Sequence, residues 1–378
     1  MRTPGNLPWV ALLTCVILVD PGLGVGAVAQ ATATRTAPAA KRTQDARIGR
    51  ARAFIQRTIA TEPIPGMSVA VAIDGKVVWA EGFGFADLEN RVPMTAGSKA
   101  RIASISKSLT SAAVGLLHEQ GKLDLDAPVQ RYVPTFPVKP WPISTRQVAG
   151  HIAGIRHYRD GEFESMRPYR SVTEALDVFR NDSLMSQPGT RYLYSTYGWN
   201  LISAVVESAA GEPFVAYMQR AVFAPLGMRS TTPEYTDSII PRRAHYYLRD
   251  SGGPMRNAPY VDNSVKWAGG GFLSTPSDLV MFGSALLRTD FLRKETVELL
   301  WRSQATRDGK PTGYGIGWSS AVDSTGRRIV SHSGGAMGAN SLLLIYPGER
   351  LVVAVLANTN TRYAGAGARE IAGIFFRR

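Results

Sequence analysis

Two hairpin patterns at opposite ends of the chain constrain the fold more than any other feature of the sequence. Near the start, MSVAVAIDGKVVWAEGFGFAD contains two apolar runs joined at Asp74-Gly75, a dipeptide typical of tight β-hairpin turns. Near the end, NSLLLIYPGERLVVAVLAN contains two more, joined at Pro347-Gly348. The long stretch between them favours helices and loops. We therefore predict one antiparallel sheet, built from two distant segments, with a helical lobe inserted between them.

Helical periodicity sets the approximate borders of these parts. Apolar residues recur at helical spacing from Ala46, which predicts a first helix that ends before Pro63. Further helices are predicted over Ser277–Leu287 and from about Tyr363 to the end. The predicted catalytic domain spans residues 46–378, with the sheet region over about 46–125 and 266–378 and the helical lobe over about 126–265.

The N-terminus resembles an export signal. An apolar run, VALLTCVILV, follows a short segment with one positive side chain, and Ala27-Val28-Ala29 provides small residues for cleavage. We predict a signal peptide over residues 1–29 and a flexible linker over residues 30–45, and hence a periplasmic or secreted protein. The alternative is a retained membrane anchor, although the run is shorter than the roughly 20 apolar residues that a spanning helix needs.

Composition narrows the classes of partner. The 378 residues carry 43 Lys and Arg against 30 Asp and Glu, a formal net charge of +13. These basic residues are scattered, without a basic stripe or a nucleic-acid-binding motif, so we expect no nucleic acid and a cationic surface that faces an anionic cell envelope. The single cysteine, Cys15, lies in the predicted signal, and no HExxH spacing occurs. No metal or cofactor is expected.

The first chemical motif is Ser104-x-x-Lys107 in RIASISKSLTSAAVGLLHEQG. Residues three apart on a helix share a face, so the two side chains are expected to be neighbours, with Ser111 on the same polar side. A lysine that loses solvation in a partly buried cleft has a lowered pKa, and its neutral amine can take the proton of an adjacent serine hydroxyl. The alternative is a polar helix entrance with a lysine that reaches solvent.

The second motif is Tyr194-Ser195-Thr196, which precedes a predicted helix. A phenol close to Lys107 is expected to be more acidic than a free one and could carry protons to and from Ser104. The alternative is a tyrosine that only packs in the core.

The third motif is His332-Ser333-Gly334 on a predicted strand. We expect His332 to hydrogen-bond the substrate or its leaving group and Gly334 to let the substrate backbone lie along the strand. The amide of the next residue, Gly335, can pair with that of Ser104 as an oxyanion hole. The alternative is a strand histidine that is satisfied within the protein.

These motifs, in this order, resemble the serine β-lactamase-related family, which includes class C β-lactamases, D-alanyl-D-alanine carboxypeptidases and related esterases, and within it the β-lactamase-like serine proteases. The resemblance also covers IPGMSVAVAIDGKVVWAEGFGFAD, GHIAGIRHY and VKWAGGGFLSTPSDLVMFG, from about Ile64 to Pro347. It implies an α/β (α+β) penicillin-binding and β-lactamase-like fold, with an antiparallel sheet, a helical lobe and a cleft between them. It also implies that Ser104 is the nucleophile, Lys107 its base and Tyr194 the relay.

Two departures from the family pattern affect the expected substrate. Thr196 stands where asparagine is common, and His332 stands where a lysine usually holds the carboxylate of a β-lactam. We therefore expect an exported serine hydrolase that acts through an acyl-enzyme on peptide or ester substrates, with Thr196, His332, Ser333, Gly334 and Gly335 contacting the substrate. The alternatives are a true β-lactamase or D-alanyl-D-alanine carboxypeptidase, and a non-catalytic sensor or structural protein. Oligomeric state is left open.

Overall fold

The computed structural model describes residues 36–376, with the exception of 251 and 362. It divides into two units, residues 1–45 and residues 46–378. Within the described residues the α-helices are α1 (Thr36–Thr61), α2 (Ile105–Glu119), α3 (Thr145–Ala149), α4 (Thr196–Ala210), α5 (Phe214–Tyr217), α6 (Trp267–Gly270), α7 (Pro276–Ala285), α8 (Lys294–Trp301) and α9 (Tyr363–Phe375). Single turns of 3-10 helix cover Val129–Arg131, Glu174–Val178 and Ser264–Lys266, and a π-helical segment covers Met218–Phe223.

The strands form one large sheet and two small ones. They are β1 (Gly66–Ile73), β2 (Lys76–Asp87), β3 (Val92–Pro93), β4 (Ala100–Arg101), β5 (Thr232–Pro233), β6 (Tyr247–Arg249), β7 (Met255–Asn257), β8 (Phe272–Ser274), β9 (Ser319–Val322), β10 (Arg328–Ala336), β11 (Ala339–Tyr346) and β12 (Leu351–Ala357). The large sheet has the order β3-β2-β1-β12-β11-β10-β9, the second β4-β8-β5, and the third β6-β7.

The large sheet joins the two ends of the chain as predicted. All its pairings are antiparallel, and β1 lies directly against β12, with Met67 opposite Ala357. Asp74 and Gly75 connect β1 to β2 with φ of 51° and 77°, the left-handed pair that a tight hairpin turn requires. The predicted fold class, with its antiparallel sheet, flanking helices and inserted helical segment, is confirmed.

Apolar layers cover both faces of the large sheet. Successive side chains of a strand point to opposite faces, so each strand contributes residues to both layers. Val69 and Val71 of β1 pack in an apolar layer beneath α1 and α9, which contribute residues such as Ile55 and Ile371. Ala70 and Ala72 point the other way, into a larger core that contains α2, α4 and α7. The small alanines let α7 approach β1 closely. The helix that carries the first motif, α2, therefore belongs to the larger core, on the face of the sheet to which Ala70 and Ala72 point.

Two expectations about helices need correction. The linker predicted over residues 30–45 is helical from Thr36 onwards, where α1 begins; the segment KRTQDAR consists mainly of residues with good helix propensity, and a proline in the first helical turn is tolerated. The predicted signal, residues 1–29, lies outside the described residues. The alternative of a lysine that reaches solvent from α2 is wrong, because every residue from Ile105 to Gly115 is buried, Lys107 included. None of the helices within residues 36–376 is long and apolar enough to cross a membrane.

Candidate active site

A cavity of about 420 Å³ opens at the N-terminal end of α2. Its walls come from segments that are far apart in the sequence. They are residues 103–104 before α2, residues 157–163 after α3, residues 192–196 at the start of α4, residues 266–270 around α6, and residues 332–336 on β10. Of the residues predicted for the site, all line this cavity except Lys107, which lies directly beneath it, and Gly334.

Ser104 stands at the entrance of α2, where the backbone presents it to the cavity. The preceding residue, Ala103, has φ of 48°, a left-handed conformation that costs energy for a residue with a Cβ. Ser104 is the N-cap residue of α2, but its hydroxyl does not cap the helix. Its own N–H donates to no acceptor in the described part of the protein. The hydroxyl and the amide are therefore both available to a substrate.

Lys107 lies one turn further along α2 and is completely buried. Its Nζ is 3.1 Å from Ser104 Oγ, 2.6 Å from the carbonyl oxygen of Gly269 and 3.4 Å from Thr196 Oγ1. Burial lowers the pKa of Lys107 well below its usual value, and the positive charge of Lys266 lowers it further. A neutral amine fits these contacts, because its two N–H groups can donate to Gly269 and Thr196 while its lone pair accepts the proton of Ser104.

Tyr194 reaches the same serine from the opposite wall. Its hydroxyl lies 2.9 Å from Ser104 Oγ, and its ring centre is 4.9 Å from Lys107 Nζ. The expectation of an acidic phenol is wrong, because burial raises the pKa of Tyr194 above that of a free tyrosine, and the hydrogen bond to Ser104 offsets this only in part. A neutral Lys107 also has no charge with which to stabilise a phenolate. Tyr194 is therefore a neutral phenol that can donate a proton.

The start of α4 fixes Tyr194 and Thr196 in place. Ser195 caps this helix, with its hydroxyl accepting from the Gly198 amide at 2.9 Å and donating to the Arg156 carbonyl at 2.6 Å. Its neighbours on either side then face the cavity. Thr196, which is predicted to contact the substrate, lines the cavity, and its hydroxyl lies 3.4 Å from Lys107 Nζ.

His332 lines the cavity but has no free ring nitrogen. The Tyr314 hydroxyl lies 2.7 Å from Nε2, and Nδ1 lies 2.6 Å from the Ser333 carbonyl oxygen. Burial lowers the pKa of His332 to about 3, so the ring is neutral. Nδ1–H then donates to Ser333, and Nε2 accepts from Tyr314. The direct hydrogen bond from His332 to substrate that we expected has no donor or acceptor left to form it.

The two glycines of β10 differ in their surroundings, and only Gly334 departs from its predicted role. A Cβ on Gly334 would lie 2.2 Å from Ser341 Oγ and 2.3 Å from the Ile102 carbonyl oxygen, so this glycine lets β10 pack against the chain just before the serine. Gly335 has nothing within 4 Å of its Cβ position and faces the open cavity, as does the exposed Ser333. The space next to β10 therefore lies at Gly335 rather than at Gly334.

Several site residues were not predicted from the sequence, because they lie on segments that are distant in sequence from the three motifs. Gly269, in the glycine-rich stretch before β8, accepts a hydrogen bond from Lys107. His157 Nδ1 accepts the Thr196 amide at 3.1 Å, and its ring lies in the cavity wall. Tyr314 positions His332 from another loop. In the sequence, Gly269 and His157 are marked only by their surroundings, the glycine-rich WAGGG stretch and the GHIAGIRHY segment, neither of which indicates a chemical role. No cluster of three or more metal-binding side chains occurs in the described ranges.

The fold places a helix that presents Ser104 beside a buried antiparallel sheet, and the amine of Lys107 and the phenol of Tyr194 both contact the serine hydroxyl. This combination defines the serine hydrolases of the penicillin-binding and β-lactamase-like fold. Residues 51–374 match the beta-lactamase family, and the chain belongs to that family.

Individual relatives support the same assignment. The chain is 35% identical over 379 residues to the mitochondrial serine beta-lactamase-like protein LACTB of Homo sapiens, an alignment that covers 75% of this chain and 69% of that protein. It is 27% identical to penicillin-binding protein 4* of Bacillus subtilis (strain 168), over 82% of this chain and 72% of the relative. Among solved structures, the octameric penicillin-binding protein homologue from Pyrococcus abyssi superposes with a TM-score of 0.76 at 26% identity, covering 86% of this chain and 77% of the other.

Proposed function

We propose that this hydrolase cleaves peptide or ester substrates through an acyl-enzyme formed on Ser104. One observation carries the proposal: the hydroxyl of Ser104 contacts both Lys107 Nζ, at 3.1 Å, and Tyr194 OH, at 2.9 Å, at the mouth of an open cavity. A base and a proton donor are thus each within hydrogen-bonding distance of the nucleophile.

In the first step Ser104 Oγ attacks the substrate carbonyl carbon, and its proton passes to Lys107 Nζ. The lowered pKa of Lys107 favours this transfer, because it increases the fraction of the amine that is unprotonated. The carbonyl oxygen of Gly269, 2.6 Å from Nζ, then accepts from the ammonium that forms. This contact stabilises the charge that burial alone would disfavour.

The negative charge that develops on the substrate oxygen lies between two backbone amides. Ser104 N–H has no acceptor among the described residues and sits at the N-terminus of a 15-residue helix, where the helix dipole favours negative charge. Gly335, which lines the cavity from β10, supplies the second amide in this proposal. Such paired donors typically contribute a factor of about 100 to 1000 in rate each.

Tyr194 then protonates the leaving group. Because its pKa is raised, the hydroxyl keeps its proton until the departing nitrogen or oxygen takes it, and the ammonium of Lys107 then gives its proton to the phenolate of Tyr194. Water subsequently attacks the acyl-enzyme and gives a proton to Lys107, which passes it to Ser104 Oγ as the ester bond breaks and the acid product leaves. Ser104, Lys107 and Tyr194 then have the protonation states with which the reaction began.

The shape of the cleft favours an extended substrate. Beyond Ser331, which pairs with Ser319 of β9, the free side of β10 has no partner strand in the described structure, so a peptide backbone can lie along it. The cavity also shares His157, Tyr158 and Tyr194 with a neighbouring groove of about 400 Å³. A substrate longer than one residue on the acyl side would occupy both.

A fluorophosphonate probe tests the nucleophile directly. We expect wild-type protein to be labelled and Ser104→Ala to remain unlabelled, with equal thermal unfolding curves showing that both are folded. A panel of peptides, esters and β-lactams then competes with the probe for the wild type. Labelling of Ser104→Ala at the wild-type rate would assign the reaction to another residue.

The same panel separates the alternatives. Nitrocefin turnover at rates comparable to the best ester would favour a β-lactamase, whereas stable labelling by a β-lactam without turnover would favour a sensor. The engaged, neutral His332 supports peptide or ester substrates, because it offers no positive charge at the strand position where the family's lysine holds a β-lactam carboxylate.

We further propose that the protein is exported, on the basis of the N-terminal sequence alone. The relative from Homo sapiens is mitochondrial by its name, so the compartment is a separate question from the chemistry. Fractionation of cells that express the full chain, with an antibody against the catalytic domain, tests it. Export predicts a product in the periplasm or medium that is shorter than the full chain by about the length of a signal peptide.

A further inference from the structure

Lys266 is a buried cation in the wall of the active-site cavity that no step of the proposed mechanism uses. It ends the 3-10 turn before α6 and is only 5% exposed. Its Nζ lies 4.9 Å from the centre of the Phe163 ring and 5.3 Å from that of Tyr158. Both rings also line the cavity, so the ammonium rests against aromatic faces at the edge of the space where substrate would bind.

This ammonium lacks a counter-ion. In the described part of the chain no carboxylate lies within ion-pair distance of Lys266 Nζ, and no oxygen accepts a hydrogen bond from it. The two carboxylates that act on it electrostatically have other partners. Glu234 forms an ion pair with Arg101 at 2.8 Å, and Asp262 accepts from the Thr236 hydroxyl at 2.9 Å.

The charge nevertheless persists near neutral pH. Burial and the neighbouring Arg101 lower the pKa of Lys266 to about 8, which still leaves most of the population protonated at pH 7. A buried charge without a partner is costly, and proteins that keep one usually supply an anion from elsewhere. The cavity is the open side from which such an anion can come.

The position of Lys266 relates it to the reacting atoms. Its Cδ lies 3.9 Å from the place that a Cβ on Gly270 would occupy, and the carbonyl carbon of Ala103 lies 3.7 Å from the same place. Only Gly270 therefore separates the stem of Lys266 from the residue before Ser104. The charge of Lys266 also reaches Lys107, whose pKa it lowers. An anion bound at Lys266 would lie beside the acylation centre.

We propose that Lys266, with Tyr158 and Phe163, forms a carboxylate-binding subsite, so that the enzyme prefers substrates with an anionic group close to the scissile carbonyl. This inference rests on the proposed function of Ser104 and names the class of substrate for it. The ammonium supplies the charge-assisted hydrogen bonds, and the two aromatic rings exclude water from the pair. The competing explanation is that Lys266 serves only to keep Lys107 unprotonated.

Substrate pairs that differ only in one charge separate these explanations. The p-nitrophenyl esters of adipic acid and of its monoamide place the charge on the acyl side. The phenylacetylglycyl esters of 3-hydroxybenzoic acid and of 3-hydroxybenzamide place it on the leaving group. kcat/KM is measured for all four with wild type, Lys266→Met, Lys266→Arg, Ser104→Ala and Lys310→Met. Lys310 provides the matched control, because its side chain is 83% exposed and lies outside the cavity.

We expect wild type and Lys310→Met to favour the carboxylate in at least one pair by about 10- to 100-fold. Lys266→Met should reduce that ratio to near one, whatever loss it shows on the amide through Lys107, and Lys266→Arg should restore much of the preference. Equal losses on both members of each pair would assign Lys266 to tuning Lys107 and overturn the subsite, as would the absence of any preference in the wild type. Turnover that survives Ser104→Ala, or no turnover of any ester, would instead refute the proposed function, and the subsite would fall with it.

Discussion

Gly334 and Gly335 are adjacent on β10, yet the structure predicts opposite consequences for the same substitution. In Gly334→Ala the new Cβ would lie 2.2 Å from Ser341 Oγ and 2.3 Å from the Ile102 carbonyl oxygen, where about 3.4 Å is needed. Ser341 cannot simply rotate away, because its hydroxyl donates to that same carbonyl at 2.8 Å and is buried. The strand must shift by about 1 Å, with a cost of about 3 kcal/mol for overpacking and the damaged hydrogen bond.

Thermal unfolding followed by circular dichroism measures this cost. For a chain of this size about 3 kcal/mol corresponds to a loss of roughly 4 °C in Tm. Gly335→Ala is the control: nothing lies within 4 Å of its Cβ position, so we expect a Tm within about 1 °C of wild type, although it narrows the cavity. If Gly334→Ala has the same Tm as wild type, or if the two variants lose the same stability, the described packing of β10 against Ile102 is wrong.

Three further perturbations address the proton path and its support. Tyr194→Phe removes the proton donor 2.9 Å from Ser104 Oγ. We expect steady-state kinetics to show a fall in kcat of about 100-fold or more, and calorimetry to show a nearly unchanged Tm. A kcat within threefold of wild type would exclude the relay. Lys107→Arg replaces a neutral amine with a permanently protonated guanidinium, so fluorophosphonate labelling should be lost at every pH up to 10, and labelling that returns above neutral pH would contradict a base at this position. Glu234→Gln leaves Arg101 buried without its counter-charge, so chemical denaturation should show a loss of about 3 kcal/mol, whereas an unchanged midpoint would mean that the pair contributes no net stability.

The sequence was most informative where a contact is local. The spacing of Ser104 and Lys107 fixes their proximity as soon as the segment is helical, and Asp74-Gly75 encodes its own turn. The antiparallel sheet followed from the two hairpins, because apolar strands joined by a tight turn pair with each other. These predictions needed no knowledge of what lies on the other side of the cavity.

Of the two electrostatic predictions for the serine's neighbours, the lowered pKa of Lys107 agrees with its burial, whereas the acidity expected for Tyr194 is wrong. That expectation took no account of the burial of the phenol, which raises its pKa. The role expected for His332 failed because Tyr314, eighteen residues away in the sequence and on a different loop, reaches its ring. Lys266 was not predicted at all, since nothing in its own segment marks it as lacking a counter-ion. Non-local packing sets these properties.

The two buried lysines of the cleft make one more prediction, because each acts on the other's charge. In the free enzyme the positive charge of Lys266 helps keep Lys107 unprotonated. A substrate carboxylate bound at Lys266 would cancel much of that field, so the pKa of Lys107 should be higher in the complex than in the free enzyme.

The pH dependence separates these two states, since kcat/KM reports the groups of the free enzyme and kcat those of the complex. Lys107 must be unprotonated to accept the proton of Ser104, so both profiles fall on the acid side. For an anionic substrate we expect the acid limb of kcat to lie at higher pH than that of kcat/KM, whereas for its amide counterpart the two limbs should coincide. In Lys266→Met the displacement should vanish for both substrates. Coincident limbs for the anionic substrate in wild type would show that no charge is neutralised near Lys107 on binding, because a carboxylate seated at Lys266 could not leave the titration of its neighbour unchanged.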